Sequence, residues 1–193
     1  DAAVARAAVL YEPDGSVIRD DLGGIRPACP VLAPDGCELA GYALGSNGAL
    51  VSPPGGLRIS VRDLTAVGRM LLADGWHGGR RFLARRSLRQ LLAPAWRFEG
   101  SNGETEGGFY CGYGLAVQRL PGAHPACRDD LFGDGRRVLG HAGDAYGLRS
   151  GLWLDPERGV GIAYLATGNG DDPPRGRSAW RAIEERLARR LPR

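Results

Sequence analysis

The sequence predicts an α+β fold in which an antiparallel β-sheet is flanked by helices. Two observations support this: helix-periodic segments precede a series of strand-like segments, and an amphipathic segment closes the chain. Strands that follow one another through short turns pair antiparallel, whereas alternating strands and helices would indicate a parallel sheet. The chain has 193 residues, 43% of them apolar, which is enough for the core of one domain.

The first regular element is a helix that begins near Ser60. Ser60 can cap the helix, and Asp63 lies in the first turn, where a negative charge suits the helix dipole. Gly75 is a typical C-terminal stop. The predicted apolar face consists of Leu64, Val67 and Leu71. A second short helix is predicted over residues 87–92, and GWHGGRRFL between the two helices indicates a turn.

Four strand-like segments follow a polar, glycine-rich loop over residues 97–112. They span residues 113–120, 136–143, 147–155 and 159–168. The PERG turn between the last two predicts an antiparallel hairpin. The last strand is apolar on both faces, so we expect it to be central and covered on both sides.

The segment SAWRAIEERLARRL predicts a closing amphipathic helix with charges opposite its apolar stripe. That stripe consists of Trp180, Ile183, Leu187 and Leu191. We expect residues 1–193 to form one partial domain. Its segments are an irregular excursion over 1–56, a helical segment over 57–95, and the sheet with its closing helix over 109–193.

Composition excludes several kinds of chemistry. All 25 basic residues are arginine, so this chain contains no Ser-x-x-Lys dyad, Schiff-base lysine or P-loop lysine. Arginines are mixed evenly with acidic residues, and the net charge of +3 is small, which argues against a nucleic-acid-binding face. No apolar run is long enough to predict a transmembrane helix.

Four cysteines form two local pairs, Cys29 with Cys37 and Cys111 with Cys127. We expect two local disulfides, which are typical of an oxidising compartment. Four reduced cysteines in a cytosolic protein are one alternative. A zinc site is another, with the candidate ligands Cys111, Cys127, His124 and His141. We expect neither a metal nor a cofactor.

The stretch GHAGDAYG, residues 140–147, carries the candidate chemistry, although such glycines often only make a turn. A local triad of His141, Asp144 and Ser150 is disfavoured, because residues 141 and 150 lie roughly 30 Å apart on an extended strand. The chain also has no G-x-S-x-G motif. A strand edge offers a better account. A backbone N–H there can donate to an oxyanion, and small residues leave room for a substrate.

The segment SPPGGLRISVRDLTAVGRMLLADGWHGGRRFL resembles the G-G-L and helix region of the penicillin-recognising serine hydrolases. The similar branch is that of class C β-lactamases and related esterases, D-aminopeptidases, DD-carboxypeptidases and 6-aminohexanoate-dimer hydrolases. GHAGDAYGLRSGLWLDPERGVGIAYLATG resembles the region with the third active-site motif, and His141-Ala142-Gly143 matches its His-x-Gly form. The resemblance runs over most of residues 42–190.

This resemblance implies a β-lactamase/transpeptidase-like fold and an acyl-enzyme mechanism on a small-molecule ester, amide or β-lactam. The family's nucleophile lies in a Ser-x-x-Lys motif, and a Tyr-x-Asn tyrosine helps to shuttle the proton. Carried over to this chain, the backbone N–H of Asp144 would complete the oxyanion hole. The residues expected to line the substrate are His141, Ala142, Gly143, Ala145 and Tyr146. A periplasmic or secreted location is expected.

The sequence departs from the family where the nucleophile should be. It has no lysine, and neither Tyr42 with Asn47 nor Tyr11 fits Tyr-x-Asn. VARAAVLYEPDG resembles the linker after the second motif, so we expect a C-terminal half that is inactive alone. A separate N-terminal half is a possible partner. The alternative is a non-catalytic secreted binding or structural domain with the same sheet.

The residues do not decide the substrate. Loops over 18–50 and 97–112 are candidate pocket walls, and four aromatic residues could serve either as apolar contacts or as core. These are Trp96, Phe98, Tyr110 and Tyr113.

Overall fold

The structure is a computed structural model. It describes residues 10–11, 13–18, 32–33, 36–37, 59–145, 147–170 and 172–191. The helices in these ranges are α1 (Val61–Leu72), α2 (Arg85–Leu92) and α3 (Ala182–Ala188). The first six strands are β1 (Leu10–Tyr11), β2 (Val17–Ile18), β3 (Leu32–Ala33), β4 (Gly36–Cys37), β5 (Trp76–His77) and β6 (Arg80–Arg81). The others are β7 (Trp96–Arg97), β8 (Gly112–Tyr113), β9 (Gln118–Leu120), β10 (Val138–Ala145), β11 (Leu148–Asp155) and β12 (Val160–Ala166).

Strands β7–β12 form one antiparallel sheet in the order β12-β11-β10-β9-β8-β7. Each strand pairs antiparallel with the next strand in sequence, both across short turns and across the longer loops over residues 98–111 and 121–137. The PERG turn joins β11 to β12 as predicted, with Asp155 opposite Val160. Helices pack on this sheet, so the predicted α+β class is confirmed.

The start of α1 also follows the prediction. The Ser60 hydroxyl oxygen accepts the Asp63 backbone N–H at 3.0 Å. The helix ends at Leu72, and Gly75 follows with φ +86°, a left-handed conformation that favours glycine. The second helix begins two residues earlier than predicted, at Arg85.

Helices α1 and α3 cover opposite faces of the sheet. We call the face under α1 the front face. There a Cβ at Gly68 would lie 3.0–3.1 Å from Leu152 and Leu154 of β11. We call the face under α3 the back face. There the rings of Trp153 and Trp180 meet edge to face, with centroids 5.2 Å apart. Both tryptophans are fully buried, so the main core lies behind the sheet.

Two strand predictions were wrong in detail. Within the described sheet, β12 is an edge strand rather than a central one. Its two faces are apolar because helices pack on them, which does not require a second neighbouring strand. Residues 113–120 form the hairpin β8–β9 instead of one strand, since Ala116 has a positive φ of 56° and turns the chain. The turn between α1 and α2 carries the two-residue strands β5 and β6.

The closing helix is shorter than predicted, and its charged residues do not all face solvent. Glu184 and Glu185 are buried, because the preceding segment uses both carboxylates as hydrogen-bond acceptors. The backbone N–H and the hydroxyl of Ser178 donate to Glu185. The backbone N–H of Arg181 and the hydroxyl of Tyr164 donate to Glu184.

The predicted disulfide between Cys111 and Cys127 is present. Cys29 lies outside the described residues, so the second predicted pair does too. Within the described residues, no helix is long and apolar enough to cross a membrane.

Candidate active site

The candidate site is the second half of β10. Val138–Gly140 pairs with β9 on one side and with β11 on the other. From His141 to Ala145 the strand pairs with β11 alone among the described residues. Asp144 therefore belongs to the strand and not to the turn that the sequence suggested. Tyr146 lies outside the described residues, as does the side chain of Ala145.

Glycine contacts reveal which way the backbone groups point. A Cβ at Gly140 would collide with the Leu152 carbonyl oxygen, so this carbonyl points towards β10. The Trp153 carbonyl oxygen lies 3.0 Å from a Cβ position at Gly161, so it points towards β12. Backbone direction alternates along a strand. His141, opposite Leu152, therefore directs its N–H to β11, and Asp144 directs its N–H away from β11.

The N–H and C=O groups of Ala142 and Asp144 thus point to the edge of β10 beyond the end of β9. We call this segment, residues 141–145, the free edge, with reference to the described part of the chain. Edge amides of this kind can donate to an anionic oxygen without breaking a sheet hydrogen bond.

His141 lies on the front face, because residues paired across antiparallel strands share a face and its partner is Leu152. The ring is exposed, and its Nδ1 is in close contact with the Ala142 carbonyl oxygen. Its centroid lies 6.1 Å from that of Tyr113. Burial, reinforced by Tyr110 and Glu106, raises the pKa of Tyr113 to about 12, so Tyr113 stays protonated at neutral pH.

Small residues make the free edge shallow. Gly143 lies opposite Ser150 on the front face, and a Cβ at Gly143 would collide with the Ser150 hydroxyl oxygen. The hydroxyl therefore occupies the volume that a side chain at position 143 would fill. Sequence reasoning assigned no role to this contact, because strand register alone reveals it.

The local triad is incompatible with the structure. The hairpin does bring His141 and Ser150 onto the same face. Asp144, however, lies on the back face, where its carboxylate is ion-paired with the Arg149 guanidinium. It cannot orient His141 from the opposite side of the sheet.

Behind the free edge lies a polar cavity of about 250 Å³. Its lining includes Ala142, Asp144, Arg149, Arg175, Tyr110 and Glu184. Burial raises the pKa of Glu184, although backbone and Tyr164 hydrogen bonds oppose this shift. Sequence reasoning missed Arg149 and Glu184. One sequence signal could have identified Arg149: it alternates along β11 with residues of the opposite face, at a position expected to be buried.

The remaining aromatic and metal-binding candidates do not all lie near the free edge. Tyr110 and Tyr113 flank the free edge, whereas Trp96 and Phe98 pack against each other elsewhere, with centroids 6.5 Å apart. The sulfurs of Cys111 and Cys127 lie close to the Asp129 carboxylate. Because these sulfurs form a disulfide, neither is a thiolate that could bind zinc.

Comparison with known proteins gives one match. A family model described as Beta-lactamase matches residues 2–187 of the chain. No curated protein and no solved structure gives a significant match.

Proposed function

Since this chain belongs to the beta-lactamase family, which shares the fold of the penicillin-recognising serine hydrolases, we propose that it is the sheet-bearing part of a serine acyl hydrolase. The substrate class is an ester, an amide or a β-lactam, and the reaction passes through an acyl-enzyme. The nucleophile comes from a Ser-x-x-Lys segment outside these 193 residues, because the chain has no lysine.

The observation that supports this proposal is the direction of the Asp144 N–H. It points to the free edge, past the last residue that β9 covers. A carbonyl oxygen bound there would receive a backbone hydrogen bond as negative charge develops on it. A fixed donor of this kind stabilises the transition state more than the ground state.

The remaining groups of the free edge position the substrate. His141, exposed on the front face, donates or accepts a hydrogen bond to the substrate and is not the base of a local triad. Ala142, Gly143 and Ala145 are small, so the scissile group can approach the main chain. The proton-transfer groups lie with the nucleophile, outside this chain.

A pair of substitutions at one position tests the role of the N–H. In the protein expressed from its complete reading frame, Asp144→Pro removes the amide donor, and Asp144→Ala keeps it. We expect Asp144→Pro to lower kcat for nitrocefin or p-nitrophenyl ester hydrolysis about 10²- to 10³-fold. Asp144→Ala should stay within a few fold of the parent. Equal rates for the two variants would contradict the proposal.

The location of the nucleophile has a separate test. The 193-residue chain, incubated alone with a fluorophosphonate or with nitrocefin, should show no covalent adduct by mass spectrometry. A stoichiometric adduct on any of its serines would place the nucleophile within these residues.

The second candidate is a non-catalytic binding or structural domain in a secreted or periplasmic protein, and the missing lysine favours it. The upstream reading frame discriminates between the two. A Ser-x-x-Lys followed by Tyr-x-Asn supports the hydrolase, whereas a start codon or signal peptide directly before Asp1 supports the binding domain.

A further inference from the structure

Three arginines lie together on the front face, at the end of the sheet away from the free edge. Arg97 of β7 pairs with Gly112 of β8, and Arg119 of β9 pairs with Leu139 of β10. A Cβ at Gly112 would lie 3.6 Å from the Arg119 Cβ, so these positions share a face. Arg137 lies directly before β10 and lines the same cavity as Arg97 and Arg119.

Gly112 keeps the space between two of these arginines empty. It is the residue of β8 that separates Arg97 from Arg119, and it has no side chain. A cavity of about 620 Å³ occupies this region, and the three arginines line it. We call it the arginine cavity. Its apolar wall includes Phe98, Leu139, Pro121 and Pro156.

The charges of the arginine cavity are not balanced internally. Within the described residues no ion pair joins Arg97, Arg119 or Arg137 to a carboxylate, although Glu99 and Glu157 also line the cavity. Burial lowers the pKa of Arg119, and the charges of Arg97 and Arg137 lower it further. The Arg119 guanidinium is therefore partly desolvated and is repelled by the positive charges of Arg97 and Arg137.

Only part of the donor capacity of these arginines is used. Nη1 of Arg119 donates to the Leu92 carbonyl oxygen, which fixes the position of the guanidinium. A guanidinium has five N–H donors in a planar fork that matches the oxygens of a phosphate or carboxylate. A bound multiply charged anion would satisfy the remaining donors and remove the repulsion.

We propose that the arginine cavity binds a small molecule that carries a phosphate-type dianion on an apolar body. The dianion lies among Arg97, Arg119 and Arg137, and the apolar body rests against Phe98 and Leu139. This proposal is independent of acyl transfer. The cavity shares the front face with His141, which follows Leu139 by two residues, but none of its three arginines belongs to the free edge.

Phenyl phosphate is the probe. Inorganic phosphate and phenol are the control ligands, which represent its charged part and its apolar part separately. Isothermal titration of the chain at low ionic strength should give saturable 1:1 binding of phenyl phosphate. Inorganic phosphate should bind more weakly, and phenol should not bind measurably. Raising the salt concentration should weaken the binding, because the screening length falls.

Substitutions locate the site. Arg97→Gln and Arg137→Gln should each weaken phenyl phosphate binding about tenfold, since each removes a charge-assisted hydrogen bond. Arg186→Gln is the matched control, because Arg186 is an exposed arginine of α3 on the other side of the sheet. It should leave the affinity unchanged.

Three outcomes would overturn the proposal: no saturable binding to the parent chain, equal weakening by Arg186→Gln, or phenol binding as tightly as phenyl phosphate. Thermal unfolding of each variant separates lost binding from lost folding. Since Arg97 and Arg137 are exposed, both variants should unfold within a few degrees of the parent.

Discussion

The two halves of β10 have the same backbone conformation and different surroundings. The first half, Val138–Gly140, is held between β9 and β11, and Val138 belongs to the buried core. The second half, from His141 to Ala145, pairs on one side only within the described residues. One strand thus carries both the buried framework and the candidate site, and the end of β9 divides the two. The candidate site is therefore positioned by a strand and not by a flexible loop.

The largest effect should come from the core behind the first half. Trp153 lies opposite Gly140 and is fully buried against Trp180. Trp153→Ala should lower the free energy of unfolding by about 3–5 kcal/mol, through lost burial and the resulting cavity. Urea denaturation measures this. A loss below about 1 kcal/mol would show that the core does not support this half of the strand.

A pH-dependent effect on stability is expected from Asp129, whose backbone carbonyl accepts the Trp180 indole N–H. Burial raises the pKa of Asp129 from 3.8 to about 6. The folded state therefore binds this proton more tightly than the unfolded state. That stabilisation is present below about pH 4 and is lost as the pH rises through about 6. The loss should amount to roughly 3 kcal/mol, since one pKa unit corresponds to about 1.4 kcal/mol.

Asp129→Asn is the control for this pH dependence, because asparagine does not titrate. The difference in unfolding free energy between the parent and the variant should change between pH 4 and 6 and stay constant above pH 7. A difference that is flat over the whole range would contradict the assigned cause.

Proline substitutions compare two neighbouring residues whose backbone N–H groups point in opposite directions. Gly143→Pro removes an N–H directed at β11, so it should cost about 1–3 kcal/mol by leaving the Ser150 carbonyl unpaired. Asp144→Pro removes an N–H at the free edge and should cost less. Thermal unfolding ranks the two variants. The reverse order would mean that the backbone directions are exchanged.

The smallest effect is expected at His141. Its ring is exposed on the front face, so His141→Ala should change the unfolding free energy by no more than about 0.5 kcal/mol. A marked loss of activity in the complete protein, with stability unchanged, would support substrate contact. A large loss of stability would instead assign His141 to the framework.

Local sequence signals predicted where the helices and strands lie along the chain better than they predicted which elements contact one another. Ser60 and Asp63 mark the start of α1, because capping depends on residues only three positions apart. The predicted central place of β12 in the sheet was wrong. Helices can cover both faces of an apolar strand even when only one of its edges pairs with another strand. The burial of Glu184 was also missed, because its partner Tyr164 lies 20 residues away in sequence.

The candidate site shows the same division. The motif His141-Ala142-Gly143 led the prediction to β10, and the residue types predicted a backbone-based site. Only the strand register revealed that Asp144 faces the side opposite His141, because a one-residue step reverses the face. The arginine cavity could not be predicted, since Arg97, Arg119 and Arg137 come from three separate segments.

The free edge also bears on how this protein behaves at high concentration. Unpaired N–H and C=O groups on an exposed strand can template the addition of a strand from another molecule, which leads to aggregation. Within the described residues, the run that pairs on one side only is five residues long, and it carries the charged side chain of Asp144, 60% exposed. Short length and a charge are two devices by which natural sheets prevent such association. We therefore expect the carboxylate of Asp144, which the proposed chemistry does not use, to disfavour association at this edge.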